Sequence, residues 1–229
     1  MSAGENYTGA DSLENLKEAV NYNNFLEEEL MNFIAQSRTV LDFGAGNGEF
    51  ARRLNSDEIN VDCLEIDPNF SAALKTEGFK VFSSLSEITG TYEKIYSLNV
   101  LEHIEDDISA LKTLHNLLAT DGKIFIYVPA FMLLYSSFDK KIGHFRRYTK
   151  RQLSQRLKAG GFHITRAEYA DSAGFFAWLT LKLIGKDGGE PNRKMIKFYD
   201  KWLFPISRFF DIFFNRIFGK NLLIIAEKA

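Results

Sequence analysis

The period of apolar positions changes along the chain. The first 24 residues are polar, with weak helical spacing after Asp11. From Phe25 to Ala35, the apolar positions Leu26, Leu30, Phe33 and Ile34 recur at helical spacing, which predicts a helix with one buried face. Short β-rich runs follow: TVLDF (39–43), INVDCLEI (59–66), FKVF (79–82), KIYSLNV (94–100), KIFIYVPA (123–130), FHITRAEY (162–169) and NLLIIAE (221–227). Helix-like stretches over 47–55, 68–77, 105–119 and 149–159 separate most of them. Strand alternating with helix predicts an α/β fold made of βαβ units around a largely parallel sheet.

Local punctuation marks the boundaries. Asp67 ahead of Pro68 offers an N-cap with Pro at the first helical position. Thr149 with Gln152 forms a capping box, Gly160-Gly161 ends that helix, and Asp121-Gly122 reads as a turn feeding the fifth strand. The alternation predicts an N-terminal helical segment or lid (1–36), a core (37–169 and 220–229) and a helical insertion (170–219).

Charge changes this picture locally. The formal net charge is -2, which argues against a nucleic-acid binder. Residues 1–36 nevertheless hold seven acids and one base, whereas 139–158 hold eight bases and one acid. The segment 193–220 is also basic and carries seven of the 21 Phe. Lone Cys63 has no internal disulfide partner, and no apolar leader opens the chain, so a reducing cytoplasm is expected.

LDFGAGNGEF (41–50) carries the candidate chemistry. A strand ends at Phe43, and glycines at 44, 46 and 48 allow a tight turn with the backbone close to a ligand. The spacing differs from the dinucleotide fingerprint, whose third glycine falls one residue later, and this disfavours a dehydrogenase. Asp42, two residues before the first glycine, suits an ammonium or sulfonium ligand better than a pyrophosphate. The second strand ends LEIDP; since Asp67 has a capping role, Glu65 is the better partner for the hydroxyls of a ribose.

The order LDFGAGNG, LEIDP, SLNVLEHIEDD and DGKIFIYVPA over about residues 38–170 resembles the class I S-adenosylmethionine-dependent methyltransferases. VPAFMLLYSSFD, IGHFRRYTK, the upstream NYN (21–23) and the late aromatic insertion are similar to a bacterial branch of that family. The resemblance implies a Rossmann-like seven-stranded sheet in the order 3-2-1-4-5-7-6, its seventh strand antiparallel, with S-adenosylmethionine as cofactor. It implies that Asp42, Gly44, Ala45 and Gly46 hold the methionyl part, that Glu65 and Ile66 adjoin the ribose, and that Ser84 faces the adenine. Leu98 and Asn99 would lie near the methyl group. The acidic N-terminal stretch, with Tyr7, Tyr22 and Asn23, is expected to fold over the cofactor as a lid.

A hydroxyl acceptor needs a base. His163, mid-strand, and His115, mid-helix, read as structural; His144 is the first candidate, His103 the second and Tyr148 the third. A metal alternative stays open, because Asn99-x-x-Glu102-His103 with His144 is similar to the cation site of some related methyltransferases, with Asn99 where they carry Glu. Arg146 and Arg147, beside His144, suit an anionic acceptor.

GFFAWLTLKLIG (174–185) and WLFPISRFFDIFFNRIFG (202–219) are interrupted by charges and too short to span a bilayer. After Pro205, Ser207, Arg208, Asp211 and Asn215 form a narrow polar stripe on an otherwise apolar helix. Three readings stay open for 198–219: a cap over the pocket, a dimer interface, and an interfacial helix on an anionic membrane. The sequence therefore predicts a cytoplasmic, membrane-peripheral methyltransferase acting by O-methylation on a small or lipid-linked, anionic acceptor. The alternative is a non-catalytic S-adenosylmethionine-binding protein that docks a membrane or partner enzyme.

Overall fold

The computed structural model describes residues 17–185 and 193–229. Seven strands form one sheet: β1 (Thr39–Phe43), β2 (Asn60–Leu64), β3 (Val81–Phe82), β4 (Tyr92–Leu98), β5 (Leu118–Pro129), β6 (Phe162–Ala170) and β7 (Asn221–Lys228). Their order is β3-β2-β1-β4-β5-β7-β6, as the resemblance implied. β1 pairs parallel with β2 and β4, and β4 with β5, whereas β7 runs antiparallel to both β5 and β6.

The sheet is buried on both faces, so its central strands read as unbroken apolar runs. Leu41, Ile95, Ile124, Ile126 and Val128 pack on one side with Leu111 and Leu114 of α4 (Asp107–Leu117) and Leu153 and Leu157 of α6 (Lys150–Ala159). Val40, Val61, Tyr96, Phe125 and Tyr127 pack on the other. That side is covered by α1 (Val20–Ile34), α2 (Glu49–Leu54) and α3 (Pro68–Thr76).

The local signals act as expected at most boundaries. Asp67 accepts from the backbone of Asn69 (2.8 Å) and Phe70 (3.2 Å), the Thr149–Gln152 capping box closes, and Gly161 takes φ 96° after α6. Three boundaries differ. α1 begins at Val20, because the carboxylate of Asp200, far along the chain, accepts from the backbone N–H of Asn21 and Tyr22 at 2.9 Å each. These are orphan donors of a helix start, which local sequence leaves unsatisfied. β3 is reduced to two residues. Asp121-Gly122 lies inside β5 rather than before it, at the irregularity where pairing with β4 jumps from Tyr92↔Leu118 to Lys94↔Lys123. Asp121 there adopts φ 61°, a bulge geometry.

Between β6 and β7 lie α7 (Ser172–Leu183), α8 (Arg193–Phe198), a π turn (Tyr199–Leu203) and α9 (Phe204–Phe214). The polar stripe of α9 faces inward. The Asp211 carboxylate accepts from the backbone of Asp171 (3.0 Å) and Ser172 (2.8 Å), and Ser207 Oγ donates to Asp171 (2.9 Å). Ser207 is 0% and Asp211 4% exposed, whereas Phe209 is 59% and Phe213 63% exposed. No helix among the described residues is long and apolar enough to cross a membrane. The rest of the expected N-terminal lid, including Tyr7, lies outside the described residues.

Candidate active site

Two clusters meet at the carboxyl edge of the sheet, where α/β folds bind ligands. The first is the glycine turn after β1. Gly44 has φ 85°, and a Cβ there would sit 2.4 Å from Val100 Cγ2. Gly48 has φ 75°, and its Cβ would lie 2.3 Å from Leu74 Cδ2. Gly44 N–H and Ala45 N–H donate to Leu64 O (2.9 and 3.1 Å), which locks the turn against the end of β2. The sequence demands glycine here for close packing as well as for ligand approach.

Asp42 is buried at the end of β1 and accepts from Tyr96 Oη at 2.7 Å. Burial raises its carboxyl from the usual 3.8 to about 7; the Tyr96 hydrogen bond opposes the rise and the nearby Glu65 charge adds to it. A cation placed beside this carboxyl would favour its charged form. Glu65 is also buried, its pKa raised mainly by burial. It accepts from Gly46 N–H (2.5 Å) and Asp67 N–H (2.7 Å), which fixes the carboxylate beside the glycine turn and leaves further lone pairs for ribose hydroxyls. Ile66 is exposed next to it. Ser84 is half-buried, with its hydroxyl 2.8 Å from that of Ser86.

Leu98 ends β4, and Asn99 follows at φ 54° with its N–H on Tyr127 O (2.8 Å). Tyr22 packs edge to face on Tyr127 of β5 with ring centroids 6.2 Å apart, and burial raises its phenol pKa to about 12. Tyr22 therefore reaches β5 from the start of α1, where Asp200 of the insertion accepts from its backbone N–H.

The second cluster comes from the turn Leu101–His103 and the loop after β5. His103 and His144 meet edge to face with centroids 4.5 Å apart. His144 Nδ1 lies 2.7 Å from Asp139 Oδ1, and Nε2 lies 3.7 Å from Glu102 Oε1. Asp139 sits in the capping box of α5 (Ser137–Lys141) and is gripped by Arg147 through two 2.9 Å bonds. His144, Arg147 and Ser136 hold this carboxyl far below its ordinary range against the opposing effect of burial. An ionised Asp139 accepts, so the proton of His144 is assigned to Nδ1 and its lone pair to Nε2. Burial lowers His103 to about 4, helped by His144, and raises Glu102 to about 8. Donor atoms of Glu102, His103 and His144 lie within 4.8 Å of one another, a set that could also hold a cation. Asn99, which the metal alternative also named, is not part of that group.

The remaining loop residues have other partners. Tyr148 Oη donates to Asp107 (2.7 Å), and burial with that hydrogen bond pushes its pKa far up. Arg146 binds Asp107 (2.8 Å) and Glu105 O (2.8 Å), which commits it to the start of α4. Arg147 keeps Nη1, buried and with no hydrogen-bond partner among the described residues. His115 packs on Phe162 with ring centroids 5.2 Å apart, and His163 is solvent-facing beside Glu227 at 3.3 Å. Sequence reasoning missed Asp139 and Asp200. The Ser136-x-x-Asp139 capping signature could have exposed the first, whereas the partners of Asp200 are 178 and 179 residues away.

Residues 20–167 match the family model described as a methyltransferase domain. No curated protein matches the chain. Among solved structures, it is similar to the magnesium protoporphyrin IX methyltransferase of Synechocystis PCC 6803 with bound SAH. That match has 14% identity and a TM-score of 0.59, over 94% of this chain and 86% of that one. It is also similar to the Burkholderia thailandensis 1,6-didemethyltoxoflavin-N1-methyltransferase (16%, TM-score 0.55, 89% and 76%). A third is a cyclopropane synthase from Mycobacterium tuberculosis (17%, TM-score 0.53, 84% and 79%). At such identities the likeness concerns the fold. The family match covers more than half of the chain, which therefore belongs to the methyltransferase domain family. It is an S-adenosylmethionine-dependent methyltransferase.

Proposed function

We propose that this enzyme methylates a hydroxyl of a small or lipid-linked, anionic acceptor, with His144 as the base. The observation that carries this reading is the Arg147–Asp139–His144 chain, whose far end, His144 Nε2, lies 3.7 Å from Glu102 Oε1. When bound, S-adenosylmethionine supplies an electrophilic methyl group on a sulfonium. Asp42 would face its positive charge, Gly44, Ala45 and Gly46 would hold its methionyl part, and Glu65 would accept from its ribose. Ile66 and Ser84 would border the nucleoside, and Leu98, Asn99 and Tyr22 would lie toward the methyl end.

His144 Nε2 takes the acceptor's proton, and Asp139 stabilises the imidazolium that results; His103 packs the ring into place. Arg147 Nη1 suits an acceptor anion. Arg146 acts on the acceptor only through the start of α4. A cytoplasmic location at a membrane surface fits a lipid-linked acceptor. Incubation with methyl-labelled S-adenosylmethionine and a bacterial lipid extract, followed by NMR of the labelled product, tests the reading. An O-methyl signal supports it, and an N- or C-methyl product overturns the hydroxyl acceptor.

A further inference from the structure

We propose that the face formed by α8, the π turn and α9 docks on an anionic lipid bilayer and presents the active site to an acceptor borne by that bilayer.

The outward residues of this segment are apolar or basic. Phe198, Trp202, Ile206, Phe209, Phe213 and Ile217 are all more than half exposed. They recur every three or four residues, which places them along one side of the segment. Residues 193–220 contain two acids, Asp200 and Asp211, and both are buried against backbone amides of α1 and α7. The charges left facing solvent there are Arg193, Lys194, Lys197, Lys201 and Arg216, of which Lys197 pairs with Glu18 at 3.0 Å. An apolar side flanked mainly by positive charge matches an interfacial helix on a negative membrane. The same charge set works against a second copy, since two such faces would bring like charges together.

The surface also connects to the catalytic edge. Rings touch in sequence from Phe210 through Phe214 and Phe218 to Phe175 and Phe131, at centroid distances of 5.2–6.3 Å. Phe131 begins the loop after β5 that carries Asp139 and His144. Trp178 of α7 donates to Leu134 O of that loop (3.0 Å), and Lys182 to Leu133 O (2.7 Å). The exposed Met132 and Leu133 extend the apolar surface onto the loop itself. The ring contacts thus run from the exposed face to Phe131, at the start of the loop that carries His144. The role of this surface in delivery rests on the methyl-transfer reading; its attachment to lipid does not.

Flotation of the purified full chain with vesicles is the test. The vesicles are phosphatidylcholine alone or phosphatidylcholine with phosphatidylglycerol at about three parts in ten. The wild-type chain should float with the mixed vesicles and not with the neutral ones, and high salt should release it. F209S/F213S should weaken flotation about tenfold or more while the folded circular-dichroism spectrum and cofactor affinity persist. Replacing Lys194, Lys201 and Arg216 by Gln should abolish the preference for anionic lipid. The proposal is overturned if the wild-type chain stays in the soluble fraction, or if F209S/F213S floats equally. A stable dimer by analytical ultracentrifugation that F209S/F213S dissociates, without flotation, would assign the face to a second copy instead. Methyl transfer to a soluble acceptor would survive any of these failures.

Discussion

Asp42→Asn separates the electrostatic account of the cofactor site from a purely steric one. In the folded protein the Asp42 carboxyl is raised from the usual 3.8 to about 7, chiefly by burial. Between those values the folded state binds more protons than the unfolded chain, so this residue's contribution to stability falls as pH rises. The slope is about 1.4 kcal/mol per pH unit, and the full loss above pH 7 is on the order of 4 kcal/mol at most. Asn keeps the shape and cannot ionise. Urea unfolding between pH 5 and 8 should therefore show the variant gaining on the wild type as pH rises, with the difference levelling above pH 7. A cationic cofactor reverses the sign, because it favours the carboxylate. Its affinity for the wild type should rise as pH rises toward 7, with proton release visible as a buffer-dependent heat in calorimetry. Equal pH slopes for the two proteins, or no proton release, would refute a buried carboxylate completed by the cofactor's charge.

Three further outcomes follow from the same geometry. Glu102→Gln removes a fully buried carboxyl whose oxygens have no hydrogen-bond partner among the described residues and whose pKa is raised to about 8. It should stabilise the protein increasingly as pH rises through that range, read as Tm at pH 6 and pH 9. Gly44→Ala places a Cβ 2.4 Å from Val100 in a left-handed backbone, so it should cost about 1–3 kcal/mol in urea unfolding and weaken cofactor binding at least tenfold. Asp200→Ala leaves the Asn21 and Tyr22 amides unpaired, with an expected loss of about 1–3 kcal/mol. Its Tyr22 should also become accessible to chemical modification.

Strands and caps were legible because short apolar runs, Asp67-Pro68 and Thr149-Gln152 act over a few residues. The glycine turn was legible because its residue types are sterically forced. What was not legible depends on distant partners. The polar stripe of α9 is visible in the sequence, but its direction is not: Ser207 and Asp211 point inward to Asp171 and Ser172. That direction leaves the phenylalanines outside. The basic run 139–158 reads as a pocket rim. Asp107 and Asp139 instead engage Arg146 and Arg147, and only one guanidinium nitrogen of Arg147 is left without a partner among the described residues. Local order carries charge type, whereas the pairing of charges is decided by tertiary contact.

The central claim is tested most directly by label transfer from methyl-labelled S-adenosylmethionine into a bacterial lipid extract, comparing the wild type with His144→Gln. Loss of a general base should cut the rate about 100- to 10,000-fold, with cofactor affinity unchanged by calorimetry. A His144→Gln enzyme that transfers label at the wild-type rate would contradict the account.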